Sequence, residues 1–123
     1  MQTTILVVDD TVSTRRPIER LLGGEGFATR SAGNGLEALR MIEGAMPDLV
    51  LLDLSMPCMD GFEVLGRLRD MPRFASLPVI VMTGETSPDA VVRAMDLGAR
   101  EVLLKSAFTP QTLFTSIRRQ LVA

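Results

Sequence analysis

Four apolar segments of the chain end in polar residues whose types suit phosphoryl or metal chemistry. Each segment is short and bounded by turn signals, as expected of a strand buried on both faces. In an open α/β sheet such strand ends share one edge, where ligand sites form. The polar residues, in chain order, are Asp9-Asp10, Asp53, Thr83 and Lys105.

The three carboxylates of this set need a counter-charge. Two unit charges about 4 Å apart repel by roughly 4 kcal/mol at an effective dielectric near 20. Lys105 alone cannot balance Asp9, Asp10 and Asp53, so a bound divalent cation is the natural partner. An all-oxygen, partly hydrated site suits Mg²⁺.

The hydroxyl and ammonium groups beside these acids describe a phosphoryl-binding site. Lysine and Mg²⁺ neutralise phosphoryl oxygens, and a threonine hydroxyl donates a hydrogen bond to them. One carboxylate of the set can act as nucleophile and form an aspartyl-phosphate. The residues by themselves therefore indicate an Mg²⁺-dependent phosphoacceptor.

Each of these residues also has an ordinary structural interpretation when taken alone. Asp9-Asp10 could cap a helix, Thr83-Gly84 could form a turn, and Lys105 could be a solvated strand end. Asp53 is harder to explain in this way because it follows an uninterrupted apolar run. The occurrence of all four features together, each at a strand end, favours the functional interpretation.

The elements that would position these residues alternate along the chain. Apolar runs predict strands at residues 5–8, 27–31, 49–53, 79–82 and 102–104, and an amphipathic segment follows each run. Five βα repeats with buried strands imply a parallel sheet covered on both faces by helices. The predicted fold is a doubly wound α/β sandwich that forms a single domain over residues 1–123.

Capping signals predict where three of the helices begin. Asn34, with Glu37 three positions later, has the capping-box pattern expected at the start of the second helix. Ser87-Pro88 and Thr109-Pro110 each place a hydroxyl residue before a proline, as at the starts of helices. Gly98 is expected to end the fourth helix.

Periodicity predicts the buried faces of the helices. We expect Leu36, Leu39 and Ile42 to face inward in the second helix, and Val91, Val92 and Met95 in the fourth. In the first helix Pro17 conflicts with the pattern, because a proline inside a helix costs about 3 kcal/mol. A bend at residues 13–17 is therefore expected.

Composition excludes several other classes of protein. The 123 residues are 46% hydrophobic with a net charge of −2, which suits a globular domain and argues against a nucleic-acid-binding surface. The single Cys58 and the lack of histidine exclude a disulfide framework, common zinc sites and histidine-based catalysis. No signal peptide or membrane span is evident, so a cytoplasmic protein is expected.

The ordered set of motifs resembles the receiver domain of bacterial two-component response regulators, over essentially all 123 residues. The resemblance, which is closest in type to chemotaxis regulators, implies a flavodoxin-like strand order 2-1-3-4-5. The motifs that carry it are the acidic pair in Val7-Val8-Asp9-Asp10, the segment Asn34-Gly35-Leu36-Glu37-Ala38-Leu39, Asp53 with the loop Met56-Pro57-Cys58-Met59-Asp60-Gly61, Thr83-Gly84, and Lys105.

The resemblance implies a role for each residue of the site. Asp53 would accept a phosphoryl group from the phosphohistidine of a partner kinase, and Thr83 and Lys105 would contact the phosphoryl oxygens. Mg²⁺ would be bound by Asp10, Asp9, Asp53 and the backbone carbonyl of Ser55. The side chains of Ser55 and Glu85 stand at positions that would tune the rate of dephosphorylation.

The resemblance also implies a signalling module rather than an enzyme with a separate substrate. Catalysis would be limited to self-catalysed phosphorylation and autodephosphorylation. The expected partners are a sensor histidine kinase or phosphotransfer protein and a downstream protein or effector domain, with no direct contact to nucleic acid or membrane. The face formed by the fourth helix, fifth strand and fifth helix would allow a homodimer.

The chain departs from the family pattern at three positions. Val102 stands where the family usually has an aromatic switch residue, and Ser106 where it usually has a cis proline after the lysine. Because a non-proline cis bond costs about 3 kcal/mol, a trans bond and a rebuilt loop after Lys105 are expected. Pro17 lies near the surface where kinases dock in this family.

Two other functions are compatible with parts of the pattern. An aspartyl phosphohydrolase would use the same nucleophile, but Asp53-Leu54-Ser55 lacks the second acid of the Asp-x-Asp motif. A receiver that binds partners without phosphorylation is favoured by Val102 and Ser106, and disfavoured by the intact acids, threonine and lysine.

Overall fold

Five strands form one parallel sheet in the computed structural model, which describes residues 2–84 and 87–121. The strands are β1 Thr4–Val8, β2 Ala28–Ala32, β3 Leu49–Leu52, β4 Val79–Thr83 and β5 Glu101–Leu104. Their order across the sheet is β2-β1-β3-β4-β5, and every pair is parallel. The predicted fold class and strand order are confirmed.

Five helices connect and flank the strands. They are α1 Val12–Gly24, α2 Gly35–Gly44, α3 Gly61–Asp70, α4 Pro88–Asp96 and α5 Pro110–Leu121. A short 3₁₀ turn, Pro72–Phe74, follows α3 and was not expected from the sequence. None of the helices within the described residues is long and apolar enough to span a membrane.

The sheet separates two hydrophobic cores because successive strand residues point to opposite faces. In β1, Leu6 and Val8 pack with residues of α2, α3 and α4, whereas Ile5 and Val7 pack with residues of α1 and α5. β3 and β4 are fully buried along their lengths, so both of their faces are apolar. This arrangement leaves the carboxyl edge of the sheet for polar residues.

The predicted helix ends agree with the structure. Asn34 Oδ1 accepts a hydrogen bond of 2.8 Å from the Glu37 amide and caps α2. Before α5, Thr109 and Thr112 exchange hydrogen bonds between hydroxyl and amide groups in the manner of a capping box. Gly98, with φ at +102°, closes α4 in a left-handed conformation that suits glycine.

Three predicted core positions were wrong. Leu36, Val92 and Met95 have exposed fractions of 47%, 57% and 45%. In α2 the buried stripe is Gly35, Ala38, Leu39 and Ile42, and in α4 the only fully buried residue is Ala94. Small residues such as Gly35, Ala38 and Ala94 occupy buried positions of these helices, which lets the helices approach the sheet closely.

Helix α1 runs unbroken through Pro17, so the proline does not divide the helix.

The peptide bond after Lys105 is trans, as predicted: the described residues contain no cis peptide bond. The chain turns there through hydrogen bonds from the Ala107 and Phe108 amides to the Leu104 carbonyl. Lys105 therefore leaves β5 at a compact turn that leads into α5.

Candidate functional site

The carboxyl ends of four strands deliver the polar residues to one edge of the sheet. Asp9 follows β1 and Asp53 follows β3, and the Asp53 amide donates to the Val8 carbonyl at 3.0 Å. On the other side, the Lys105 amide donates to the Thr83 carbonyl at 2.9 Å. The backbone hydrogen bonds between neighbouring strands thus continue into the residues of the site and align these residues side by side.

An ammonium group bridges the two buried carboxylates. Lys105 Nζ lies 2.9 Å from Asp9 Oδ2 and 3.2 Å from Asp53 Oδ2. The Asp9 and Asp53 side chains are only 4% and 7% exposed, whereas that of Lys105 is 25% exposed. The turn after β5 therefore directs Lys105 into the site, despite the serine at position 106.

Burial and charge set the protonation of this cluster. Burial raises the pKa of Asp53 above its ordinary 3.8, and the neighbouring Lys105 only partly offsets the increase. Burial by itself would lower the pKa of Lys105, but its hydrogen bond to Asp9 and the charges of both carboxylates raise it above 10.5. The lysine is thus firmly charged, and burial destabilises the ionised form of Asp53.

Asp9 is held by the first turn of α1. The Thr11 amide donates to Asp9 Oδ1 at 2.9 Å, and the Thr14 hydroxyl lies 2.8 Å from Asp9 Oδ2. Arg15 Nη1 also donates to the Asp9 backbone carbonyl at 2.8 Å. The sequence analysis did not predict these three contacts. The signal that could have indicated them is the run of hydroxyl and basic residues that follows Asp10.

The three carboxylates could hold a metal ion. Asp9, Asp10 and Asp53 each offer an oxygen, and these oxygens all lie within 4.8 Å of one another. Asp10 is exposed, so the group is open to solvent on one side. This set of hard oxygen donors with an open side fits a hydrated Mg²⁺ better than a softer metal.

The remaining predicted residues lie around the cluster. Thr83 is fully buried at the end of β4, and Gly84 beside it is exposed. The Ser55 amide donates to Asp53 Oδ1 at 3.3 Å, which ties the loop after β3 to the carboxylate. Glu85 lies outside the described residues.

The loop between β3 and α3 approaches the site at a glycine. A Cβ atom at Gly61 would lie 2.5 Å from the Asp53 carbonyl oxygen and 2.8 Å from the Leu54 Cα. Asp60 caps α3 through a bond of 3.0 Å from the Glu63 amide to its Oδ1. The start of α3 is therefore packed directly against the backbone of Asp53, a contact that the sequence did not reveal.

An open groove adjoins the cluster between this loop and α4. The Arg93 guanidinium of α4 lies 4.1 Å from the centre of the ring of Phe62, an α3 residue that lines the groove. Val102, the residue at the switch position, is partly buried, pairs with Val81 in the sheet, and packs against the core on the α2-α3-α4 face. The groove is lined by Asp10, Leu54, Ser55, Met56, Pro57, Asp60, Phe62 and Ala90.

Fold and site together define a doubly wound α/β domain with clustered carboxylates, a buried threonine and an inward-directed lysine at the carboxyl edge of its sheet. The family model described as the response regulator receiver domain matches residues 5–118. The chain belongs to this family, as the resemblance in the sequence predicted.

Two curated relatives illustrate the extent of the similarity. The DNA-binding response regulator MtrA of Mycolicibacterium paratuberculosis is 37% identical over 121 residues, which make up 98% of this chain and 52% of that protein. The transcriptional regulatory protein ZraR of Klebsiella oxytoca is 40% identical over 104 residues, covering 85% of this chain and 23% of that protein. The chain thus spans about half, or less, of the length of these relatives.

Solved structures show the same fold over nearly the whole chain. A putative response regulator from Chloroflexus aurantiacus has a TM-score of 0.93 at 31% identity, with 98% of each chain covered. The chemotaxis protein CheY4 of Vibrio cholerae has a TM-score of 0.90 at 32% identity, with 98% of this chain and 100% of that chain covered.

Proposed function

We propose that this chain is a phosphoacceptor signalling module in which Asp53 receives a phosphoryl group. The observation that best supports this role is the Lys105 ammonium group, which lies within 3.2 Å of both Asp9 and Asp53 at an open acidic cluster. A buried carboxylate with a fixed cation beside it is suited to nucleophilic attack on a phosphoryl centre.

The proposed step is a direct transfer from a phosphohistidine donor. An Asp53 carboxylate oxygen attacks the phosphorus atom, and the new O–P bond forms as the P–N bond of the donor breaks. The donor imidazole leaves with the electron pair of that bond and takes up a proton from solvent. Lys105 neutralises one phosphoryl oxygen, and the Thr83 hydroxyl donates a hydrogen bond to another.

Mg²⁺ is the cofactor of this proposal. Asp9, Asp10 and Asp53, with the Ser55 backbone carbonyl, would hold the ion, and their oxygen donors fit its preference. When bound, the ion supplies positive charge that offsets the charge of the phosphoryl oxygens during transfer. Lys105 would then be free to exchange one of its two carboxylate contacts for the phosphoryl group.

Phosphorylation would change partner binding by shifting the chain between two conformations. A shift from mostly inactive to mostly active needs about 5.5 kcal/mol of differential contact energy, which the bonds from Lys105 and Thr83 to the phosphoryl group would help to supply. The aromatic coupling of other receivers is not available, because Val102 has no ring. Aliphatic repacking around the partly buried Val102 would take its place.

The proposed partners follow from family membership. They are a sensor histidine kinase or phosphotransfer protein as donor, and a downstream protein or effector domain as target, with no direct contact to nucleic acid or membrane. A homodimer through α4, β5 and α5 is a further option for output. The cytoplasmic location and the single domain over residues 1–123 belong to the same proposal.

Intact mass spectrometry after incubation with Mg²⁺ and acetyl phosphate tests this function. We expect one added phosphoryl group in the wild type, none in Asp53→Asn, and none when the metal is chelated. Asp60→Asn is the matched control, because Asp60 is a nearby exposed acid outside the cluster and asparagine caps a helix equally well. It should be phosphorylated like the wild type.

Other outcomes would support the rival functions. No added mass under any condition would contradict the proposal and favour a receiver that acts by binding alone. Sustained release of phosphate from many small phosphomonoesters, without dependence on a particular donor, would instead favour a phosphohydrolase.

A further inference from the structure

The second oxygen of the Asp9 carboxylate is shared between two donors. Asp9 Oδ2 lies 2.9 Å from Lys105 Nζ and 2.8 Å from the Thr14 hydroxyl, while Oδ1 accepts from the Thr11 amide. The carboxylate is thus held at both oxygens, by the Thr11 amide, the charged Lys105 and the neutral Thr14 hydroxyl.

The direction of the Thr14 hydroxyl proton follows from its two neighbours. The hydroxyl carries one proton, and acceptors lie at 2.8 Å on Asp9 Oδ2 and at 3.0 Å on the Thr11 carbonyl. A hydrogen bond to an ionised carboxylate is roughly twice as strong as one to a neutral carbonyl. The Thr14 proton therefore points to Asp9 rather than to the Thr11 carbonyl.

The backbone of Asp9 is fixed independently of Thr14. Its amide donates to the Ala32 carbonyl at 3.1 Å, and its carbonyl accepts from Arg15 at 2.8 Å. Loss of the Thr14 hydroxyl would thus leave the main chain in place and remove one of the bonds that fix the carboxylate, while those from the Thr11 amide and Lys105 remain. Thr14 itself is exposed on the first turn of α1, where valine fits without a clash.

We propose that Thr14 is a positioning residue, which orients the Asp9 carboxylate for Mg²⁺ and for Lys105. Groups that orient metal ligands through hydrogen bonds commonly change metal affinity by 10–100-fold when they are removed. This inference rests on the proposed function, because it assigns Asp9 a part in binding the ion. It adds a residue that belongs to none of the motifs found in the sequence.

Measurement of Mg²⁺ binding by titration calorimetry tests the role of Thr14 without phosphoryl transfer. We expect Thr14→Val to raise the dissociation constant roughly tenfold, and Thr14→Ser, which keeps the hydroxyl, to stay within about twofold of the wild type. Ser13→Ala is the matched control: it removes a neighbouring exposed hydroxyl that has no partner among the described residues. Its affinity should equal that of the wild type.

The rate of phosphorylation by acetyl phosphate provides a second readout. At low Mg²⁺ the Thr14→Val protein should react more slowly than the wild type, and Thr14→Ser should restore the rate. A purely structural role for Thr14 in starting α1 would lower the thermal unfolding midpoint of Thr14→Val while leaving Mg²⁺ affinity unchanged. That result would overturn the inference.

The failure of this inference can be told apart from failure of the proposed function. If the wild type is phosphorylated on Asp53 and Thr14→Val binds Mg²⁺ normally, only the role of Thr14 is wrong. Equal weakening in Thr14→Val and Thr14→Ser would also refute it, since the hydroxyl would then be irrelevant. A wild type that neither binds Mg²⁺ nor accepts phosphate would refute both.

Discussion

Asp53 carries an electrostatic cost that the metal-free protein does not fully offset. Its carboxylate is buried beside Asp9, and both share a single ammonium group. The pKa of Asp53 is raised, mainly by burial, which means that the fold destabilises the ionised form of this side chain relative to the unfolded chain. A cation bound beside Asp53 would offset this cost.

This cost predicts that Asp53→Asn stabilises the metal-free protein. An acid whose folded pKa is raised loses stability as pH rises from its unfolded value, near 3.8, through the folded value. The neutral asparagine avoids this loss, while Lys105 keeps its partner Asp9. Thermal unfolding in a chelating buffer should show a higher midpoint for Asp53→Asn, with a larger difference at neutral pH than near pH 4.

The matching measurement on Asp60→Asn separates this effect from a general loss of negative charge. Asp60 is exposed and lies outside the carboxylate cluster. Its midpoint should change little over the same pH range. A wild type that is more stable than Asp53→Asn at neutral pH would contradict the proposed balance of burial and charge.

Among the elements, the start of α3 determines where the Asp53 backbone lies. Gly61 packs against the carbonyl of Asp53, and its amide donates to the Leu54 carbonyl at 3.0 Å. The same loop contains Cys58 with φ at +69°, a conformation that costs a non-glycine residue about 1 kcal/mol or more. The loop is thus compact and partly strained beside the carboxylate.

A pair of glycine substitutions in α3 tests this packing. Gly61→Ala should lower the free energy of unfolding by about 1–3 kcal/mol, because the added methyl meets backbone atoms that cannot move independently. It should also slow phosphorylation by displacing Asp53. Gly66→Ala, in the same helix with no atom within 4 Å of the added methyl, should gain up to about 1 kcal/mol from helix propensity.

Urea unfolding followed by circular dichroism measures both changes, since the chain has no tryptophan or tyrosine. The phosphorylation rate of Gly66→Ala should match that of the wild type. Equal stabilities for the two alanine variants would show that the backbone around Asp53 yields easily and does not constrain the site.

At the scale of the whole molecule, the acidic cluster joins the first and third strands of the sheet. Asp9 and Asp10 follow β1, whereas Asp53 follows β3, and the two strands pair at the centre of the sheet. A ligand that needs all three acids binds only the folded chain. Its binding free energy is therefore added to the stability of the entire domain.

Addition of Mg²⁺ should raise the thermal unfolding midpoint. At about ten times the dissociation constant, binding to the folded state alone would contribute roughly 1.4 kcal/mol. Asp10→Asn should remove most of this increase, because it takes a charged oxygen from the cluster. A monovalent salt at the same ionic strength serves as the control, and an equal increase there would point to screening rather than binding.

Local patterns in the sequence were enough to determine the class of fold. Strands and helices have different periods of hydrophobicity, so the five βα repeats and the polar residues at the strand ends were evident without a structure. Caps such as Asn34 and stops such as Gly98 depend on neighbours within a few residues. The ordered motifs also sufficed to identify the family.

Tertiary structure decided which side chains meet and which helix faces are buried. The contacts of Lys105 join residues 96 and 52 positions apart in the chain, and their distances depend on how the turn after β5 packs. The approach of Gly61 to Asp53 and the hold of Thr14 on Asp9 arise in the same way. Leu36, Val92 and Met95 are exposed, whereas the small residues Gly35 and Ala94 take buried positions of the same helices. Periodicity predicts that a helix has an apolar face, but only close packing selects the residues that fill it.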